Sequence, residues 1–151
     1  MITADQILCH LIGDYILQSD WMATEKTKKS LAALAHVITY SLPFLFFRPS
    51  WSALLFIAAT HFVIDRWRLA RYVVWAKNFL GPRRKFEWEE ASPYDMGVLF
   101  HYEERWVNPP WPECSATGYW KRNPTWLSTW LLIIADNTLH LICNGLALTY
   151  L

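Results

Sequence analysis

Residues 126–151 read WLSTWLLIIADNTLHLICNGLALTYL, and this stretch decides the fold class. A helix needs about 20 mostly apolar residues to cross the hydrocarbon of a bilayer, and this run reaches that length. It is apolar around most of its circumference. Trp126, Trp130 and Tyr150 stand near its ends, where aromatic side chains favour a membrane surface. Working back from it, three more apolar runs lie at about residues 5–22, 31–48 and 51–70. These reach spanning length only when their aromatic and polar ends are counted, so a soluble four-helix bundle is the rival. The expected fold is all-α: a four-helix transmembrane bundle forming a single domain over residues 1–151.

Composition agrees. Hydrophobic residues make up 54% of the chain and charged residues 18%, against about 25% charged in ordinary soluble domains. A net charge of +1 lacks the basic footprint of a nucleic-acid partner; membrane lipids are the expected partner, and oligomers are compatible with the sequence. Cys9, Cys114 and Cys143 have no metal-ribbon or redox spacing.

Basic residues set the expected orientation. The first connection holds Lys26, Lys28 and Lys29, the second only Arg48, and the third is rich in Lys and Arg from Arg66 to Lys85. Connections one and three are therefore expected to face the cytoplasm, in a multi-pass protein of the inner (cytoplasmic) membrane. Between the third and fourth spans, about residues 81–124 carry six of the eight prolines, so this long connector is expected to be an irregular Trp/Pro-rich cytoplasmic cap.

The spans also carry a pattern that bears on chemistry. His10 and Asp14, His61 and Asp65, and Asp136 and His140 are each spaced i, i+4, and His36 stands alone in the second run. Residues four apart share a helix face. A carboxylate at the centre of a spanning helix costs roughly 2.5–3.5 kcal/mol, and a shared cation would offset that cost. Four imidazoles and three carboxylates suffice for one or two divalent ions, zinc or manganese by ligand type. The expected metal set is His10, Asp14, His36, His61, Asp65, Asp136 and His140, with Asp14, His61 and Asp136 as its catalytic members. Gln18 and Asp20, a turn nearer the cytoplasmic end, are expected to contact substrate, to support the ligands or equally to serve as structural helix-end residues; Arg66 and Arg68, just past Asp65, are expected to hold a substrate phosphate or to anchor topology. His101, Glu25, Glu103 and Glu104 read as surface residues.

HLIGDYILQSDWMATEK (residues 10–26), His36, HFVIDR (61–66) and DNTLH (136–140) together resemble the DUF3307 family of small bacterial and phage membrane proteins of unknown function. The resemblance covers roughly residues 5–70 and 130–145 and implies the same seven His and Asp residues as the functional set. The family commonly has Gln after the last Asp, where this chain has Asn137, a change expected to alter a contact behind the ligands. There is also a distant likeness to membrane-bound metal-dependent hydrolases. The expected function is thus a metal-dependent hydrolase acting on a phosphate ester of a lipid or lipid-linked substrate at the cytoplasmic leaflet. The alternatives are an ion or metal carrier using the same cluster, or a non-catalytic membrane factor with a structural metal.

Overall fold

The structure is a computed structural model that describes residues 3–81, 84–90, 101–107 and 110–151. Three of its helices start at a hydroxyl cap. Helix α1 (Ala4–Leu11) begins where Thr3 Oγ1 accepts from the Gln6 amide, and α2 (Asp20–Glu25) where Ser19 accepts from Met22. Helix α3 (Ser30–Ser41) stops short of Pro43, which cannot donate to the helical ladder, and a 3₁₀ segment, Pro43–Phe47, follows. Helix α4 (Trp51–Trp67) is capped by Ser50 and closed by Arg68 in the left-handed conformation, φ 51°. Helix α5 (Ala70–Lys77) and the long α6 (Thr125–Tyr150) complete the set.

The break at Arg68 shortens the third expected span: the helix ends at Trp67 and restarts at Ala70. Two stretches, Ser30–Phe47 and Thr125–Tyr150, are helical, long and apolar enough to cross a membrane, with mean hydropathies of 1.6 and 1.5. The expected spans 5–22 and 51–70 yield shorter helices, α1 running on only to Ile16 through a π-helical turn, Ile12–Ile16.

Helix α4 packs between α3 and α6, and α1 lies against α6 and the Pro43–Phe47 turn. Gly13 lets α1 approach α3, since a Cβ there would sit 2.6 Å from the Tyr40 ring. At one end of the bundle Ser50 Oγ donates to the Leu151 carbonyl; at the other, Arg66 Nη1 donates to the Thr27 carbonyl at 2.6 Å. The connections that hold Lys26–Lys29 and Arg66 therefore share one end, as the charge pattern requires. The apolar core, built on Cys9, Tyr40, Phe44, Ala53, Ile57 and Ala147, fills the other half. Much of the apolar side-chain surface points outward: Ile16, Leu31, Phe46 and Leu55 are each at least 70% exposed.

Within the connector, β1 (Arg84–Glu90) pairs antiparallel with β2 (His101–Val107), Glu87 opposite Glu104. The expectation of an irregular cap is corrected to this extent, while the bundle itself is helical. Residues 82–83, 91–100 and 108–109, and the side chains of both strands including His101, Glu103 and Glu104, lie outside the described residues. The rest of the connector is packed. Trp111 stacks on Tyr72 with ring centroids 5.0 Å apart, and Gly118, at φ 81°, brings its backbone so near the Arg71 carbonyl that any Cβ would collide with it.

Candidate metal centre

The widened π turn Ile12–Ile16 decides where Asp14 points. In a regular α-helix Asp14 would lie over His10; the wider turn adds rotation at this position. Asp14 Oδ1 consequently reaches 3.1 Å from His36 Nε2 on α3 and 3.4 Å from His61 Nε2 on α4, while Oδ2 stays 3.5 Å from His10 Nδ1.

Asp65 comes from the other side. Its Oδ2 is 3.2 Å from His36 Nε2 and 3.1 Å from His61 Nε2, and the two Nε2 atoms are 3.0 Å apart. Ligand atoms of Asp14, His36, His61 and Asp65 all lie within 4.8 Å of one another. A tetrahedral ion with bonds of 2.0–2.2 Å sets its ligands about 3.3–3.6 Å apart, and the five separations of 3.0–3.4 Å lie at or just below that spacing. A proton satisfies one such line, as between His36 and Asp14 or His61 and His36, whereas an ion could take all four atoms at once. Asp65 Oδ2 has Lys26 Nζ and both imidazole nitrogens within 3.2 Å, yet meets none of them along a hydrogen-bonding direction.

A second group shares Asp65. Ligand atoms of Asp65, Asp136 and His140 also fall within 4.8 Å. His140 Nδ1 donates to the Asp136 carbonyl at 2.9 Å, which leaves the Nε2 lone pair free. That Nε2 is buried, has no hydrogen-bond partner among the described residues, and lies 3.7 Å from Asp65 Oδ1. Asp65 thus offers Oδ2 to one group and Oδ1 toward the other, and would be the residue shared if both groups held ions.

The imidazoles are held in different ways. His61 is clamped by packing, its ring stacked on Tyr40 with centroids 3.6 Å apart and lying 4.1 Å from the His140 ring. Among the described residues the Nδ1 atoms of His36 and His61 are buried without a hydrogen-bond partner, so of these three imidazoles His140 alone has there the backbone acceptor usual for a ligating imidazole. Three carboxylates face a single ammonium, that of Lys26, which lies 2.8 Å from Asp65 Oδ2. A cleft of about 510 Å³ opens onto the groups, lined among others by Asp14, Gln18, Lys26, Asp65, Arg68 and Asp136.

Six of the seven expected ligands belong to the two groups. His10 lies beside them, differently engaged: Tyr40 Oη, which accepts from Asn144 Nδ2 at 2.6 Å, donates to His10 Nδ1 at 2.9 Å, and His10 Nε2 donates to Asn137 Oδ1 at 3.0 Å. With both ring nitrogens occupied, His10 has no lone pair left for an ion. Asn137, where the family commonly has Gln, thus contacts His10 and Tyr15 and lines the cleft rather than touching a residue of either group.

Among the weaker candidates, Gln18 accepts from Lys26 Nζ at 2.9 Å, and Arg68 lines the cleft. Asp20 is exposed at the start of α2. Arg66 bonds Ser30 and Thr27, joining the α2–α3 connection to α4. Glu25 pairs with Lys29 and Lys28, whose hydrogen bonds hold its carboxyl below the ordinary range. The residues that sequence reasoning passed over are Lys26, Tyr40, Asn144 and Gln6. Three of these carried a signal, since Tyr40 follows His36, Asn144 follows His140, and Gln6 precedes His10 by four residues, so each extends a buried polar stripe along its helix. Lys26 follows the last turn of α2 and had no periodic signal.

The family described as "Protein of unknown function (DUF3307)" matches residues 2–90 of the chain. No curated protein and no solved structure matches it.

Proposed function

The chain belongs to the DUF3307 family of proteins of unknown function, and we propose that it is an integral membrane, metal-dependent hydrolase that cleaves a phosphate ester of a lipid or lipid-linked substrate at the cytoplasmic leaflet. One observation carries this reading: a set of four convergent ligand atoms shares Asp65 with a second, three-residue group, and both open onto one cleft. When bound, divalent ions there supply Lewis acidity and a water nucleophile near neutral pH.

The protein's own residues account for the rest. Asp14, His36, His61 and Asp65 hold the first ion, and Asp65, Asp136 and His140 the second. Three protein ligands leave a tetrahedral ion one open position, which favours a catalytic over a structural metal. Arg68 at the cleft is positioned for an anionic group. Zinc or manganese suits the nitrogen and oxygen donors.

The outward apolar side chains and the two span-length helices support membrane residence. The basic end of the bundle then faces the cytoplasm by the positive-inside rule, with the cleft on that side. Tyr40, Phe44 and Ile57, fully buried, close the far half of the bundle, which disfavours a carrier.

The test is elemental analysis and phosphate release with detergent-purified protein. Near-stoichiometric zinc or manganese is expected, together with hydrolysis of a lipid phosphomonoester that chelation abolishes. His61→Ala and Asp136→Ala are each expected to lose metal and activity. A wild-type protein without metal, or metal content unchanged in both variants, rejects the site; hydrolysis indifferent to chelation rejects the mechanism.

A further inference from the structure

Among the described residues Lys26 is the one Lys or Arg side chain seated among the ligand atoms, and its contacts bear on how substrate would be held. Its Nζ lies 2.8 Å from Asp65 Oδ2, 3.3 Å from His36 Nε2 and 2.9 Å from Gln18 Oε1. Two of these three atoms belong to the four-ligand group. An imidazole Nε2 has one lone pair, so His36 directs it either to the ammonium or to a metal ion. Asp65 Oδ2 likewise gains little from an ammonium once it has given its charge to a divalent ion, and the two cations repel at short range.

The side chain can leave. Lys26 stands just past the end of the six-residue α2, is 17% exposed, and lines the same cleft as Arg68. Its four-carbon stem is flexible. Released from Asp65 and His36, Nζ enters a cleft whose other cationic wall residues, among those described, are Lys28 and Arg68.

We infer that Lys26 competes with metal for Asp65 and His36, and that metal binding transfers its ammonium to the substrate's anionic group, so that loading the ions completes the phosphate site. This rests on the reading of the cluster as a metal centre and deepens it by giving the substrate's anion a partner. Lys26 is a rival of the metal for its ligands and a binding residue for the anion.

The experiment is calorimetry on the full chain in detergent, wild type against Lys26→Met, with Lys26→Gln as a second variant that keeps a polar tip. Titrated with Zn²⁺ or Mn²⁺, both variants should bind about tenfold more tightly than wild type, because a rival hydrogen-bonded cation is gone. A lysine that merely holds Asp65 in place gives the opposite sign, and weaker or unchanged metal binding overturns the inference. Metal-loaded protein is then titrated with inorganic phosphate and with phosphatidic acid in mixed micelles. Wild type should bind at least one of them, and both variants should lose about tenfold; equal binding by wild type and variants overturns the inference. Preference for the micellar lipid assigns the anion to a lipid headgroup and preference for free phosphate to a soluble one, either result supporting the transfer. A wild type that takes up no metal rejects the metal centre itself and this inference with it, whereas metal uptake without the predicted variant effects rejects the inference alone.

Discussion

The two ligand groups that meet at Asp65 differ in completeness. The first draws one atom each from Asp14, His36, His61 and Asp65, with the two imidazoles and Asp65 almost wholly buried. The second has three residues, and its Asp136 side chain is 30% exposed at the cleft. On the proposed reading, the more buried four-residue group would retain an ion, and the three-residue group would leave room for water and substrate.

The largest effect should follow from removing what the groups share. Asp65→Ala is expected to weaken binding of both ions by more than about 100-fold, read as loss of metal on dialysis; retention of one equivalent would show that the groups are independent. Next, His61→Ala and Asp136→Ala should separate them. The first should lose the tightly held ion; the second should keep that ion while losing the weaker one and activity. Identical metal content in the two variants would erase the distinction.

Smaller effects sharpen the boundary of the site. Gly13→Ala forces a Cβ toward the Tyr40 ring and should cost about 1–3 kcal/mol of stability, seen as a lower Tm in detergent, with weaker metal binding as Asp14 is displaced. His10→Ala should cost about 1–3 kcal/mol by leaving Tyr40 Oη and Asn137 short of a buried partner, yet leave metal stoichiometry unchanged. Loss of metal in His10→Ala would make His10 a ligand after all.

The helical bundle and most of the site were legible because one rule governs both: side chains four apart share a helix face. That rule brought forward Asp14, His61, Asp65, Asp136 and His140. The same rule put His10 with them, but its ring nitrogens meet Tyr40 Oη and Asn137 Oδ1, while the π turn at Ile12–Ile16 carries Asp14 Oδ1 toward His36 and His61 and leaves Oδ2 3.5 Å from His10. Nothing in local periodicity announces a π turn. Arg68 ends α4 in a left-handed conformation where a non-glycine residue is unusual, so the helix appeared to run on. Lys26 read as a topology charge, and only the tertiary fold carries it to Asp65. The strand pair of the connector was hidden by surrounding prolines and aromatics.

Anomalous diffraction from the metal-loaded protein at the absorption edge of the ion tests the central claim most directly. The predicted result is a peak about 2.0–2.2 Å from ligand atoms of Asp14, His36, His61 and Asp65, with a second, at higher metal concentration, about 3.5–4 Å away beside Asp136 and His140. A peak on other residues, or these side chains turned away from one another around an empty centre, would contradict it.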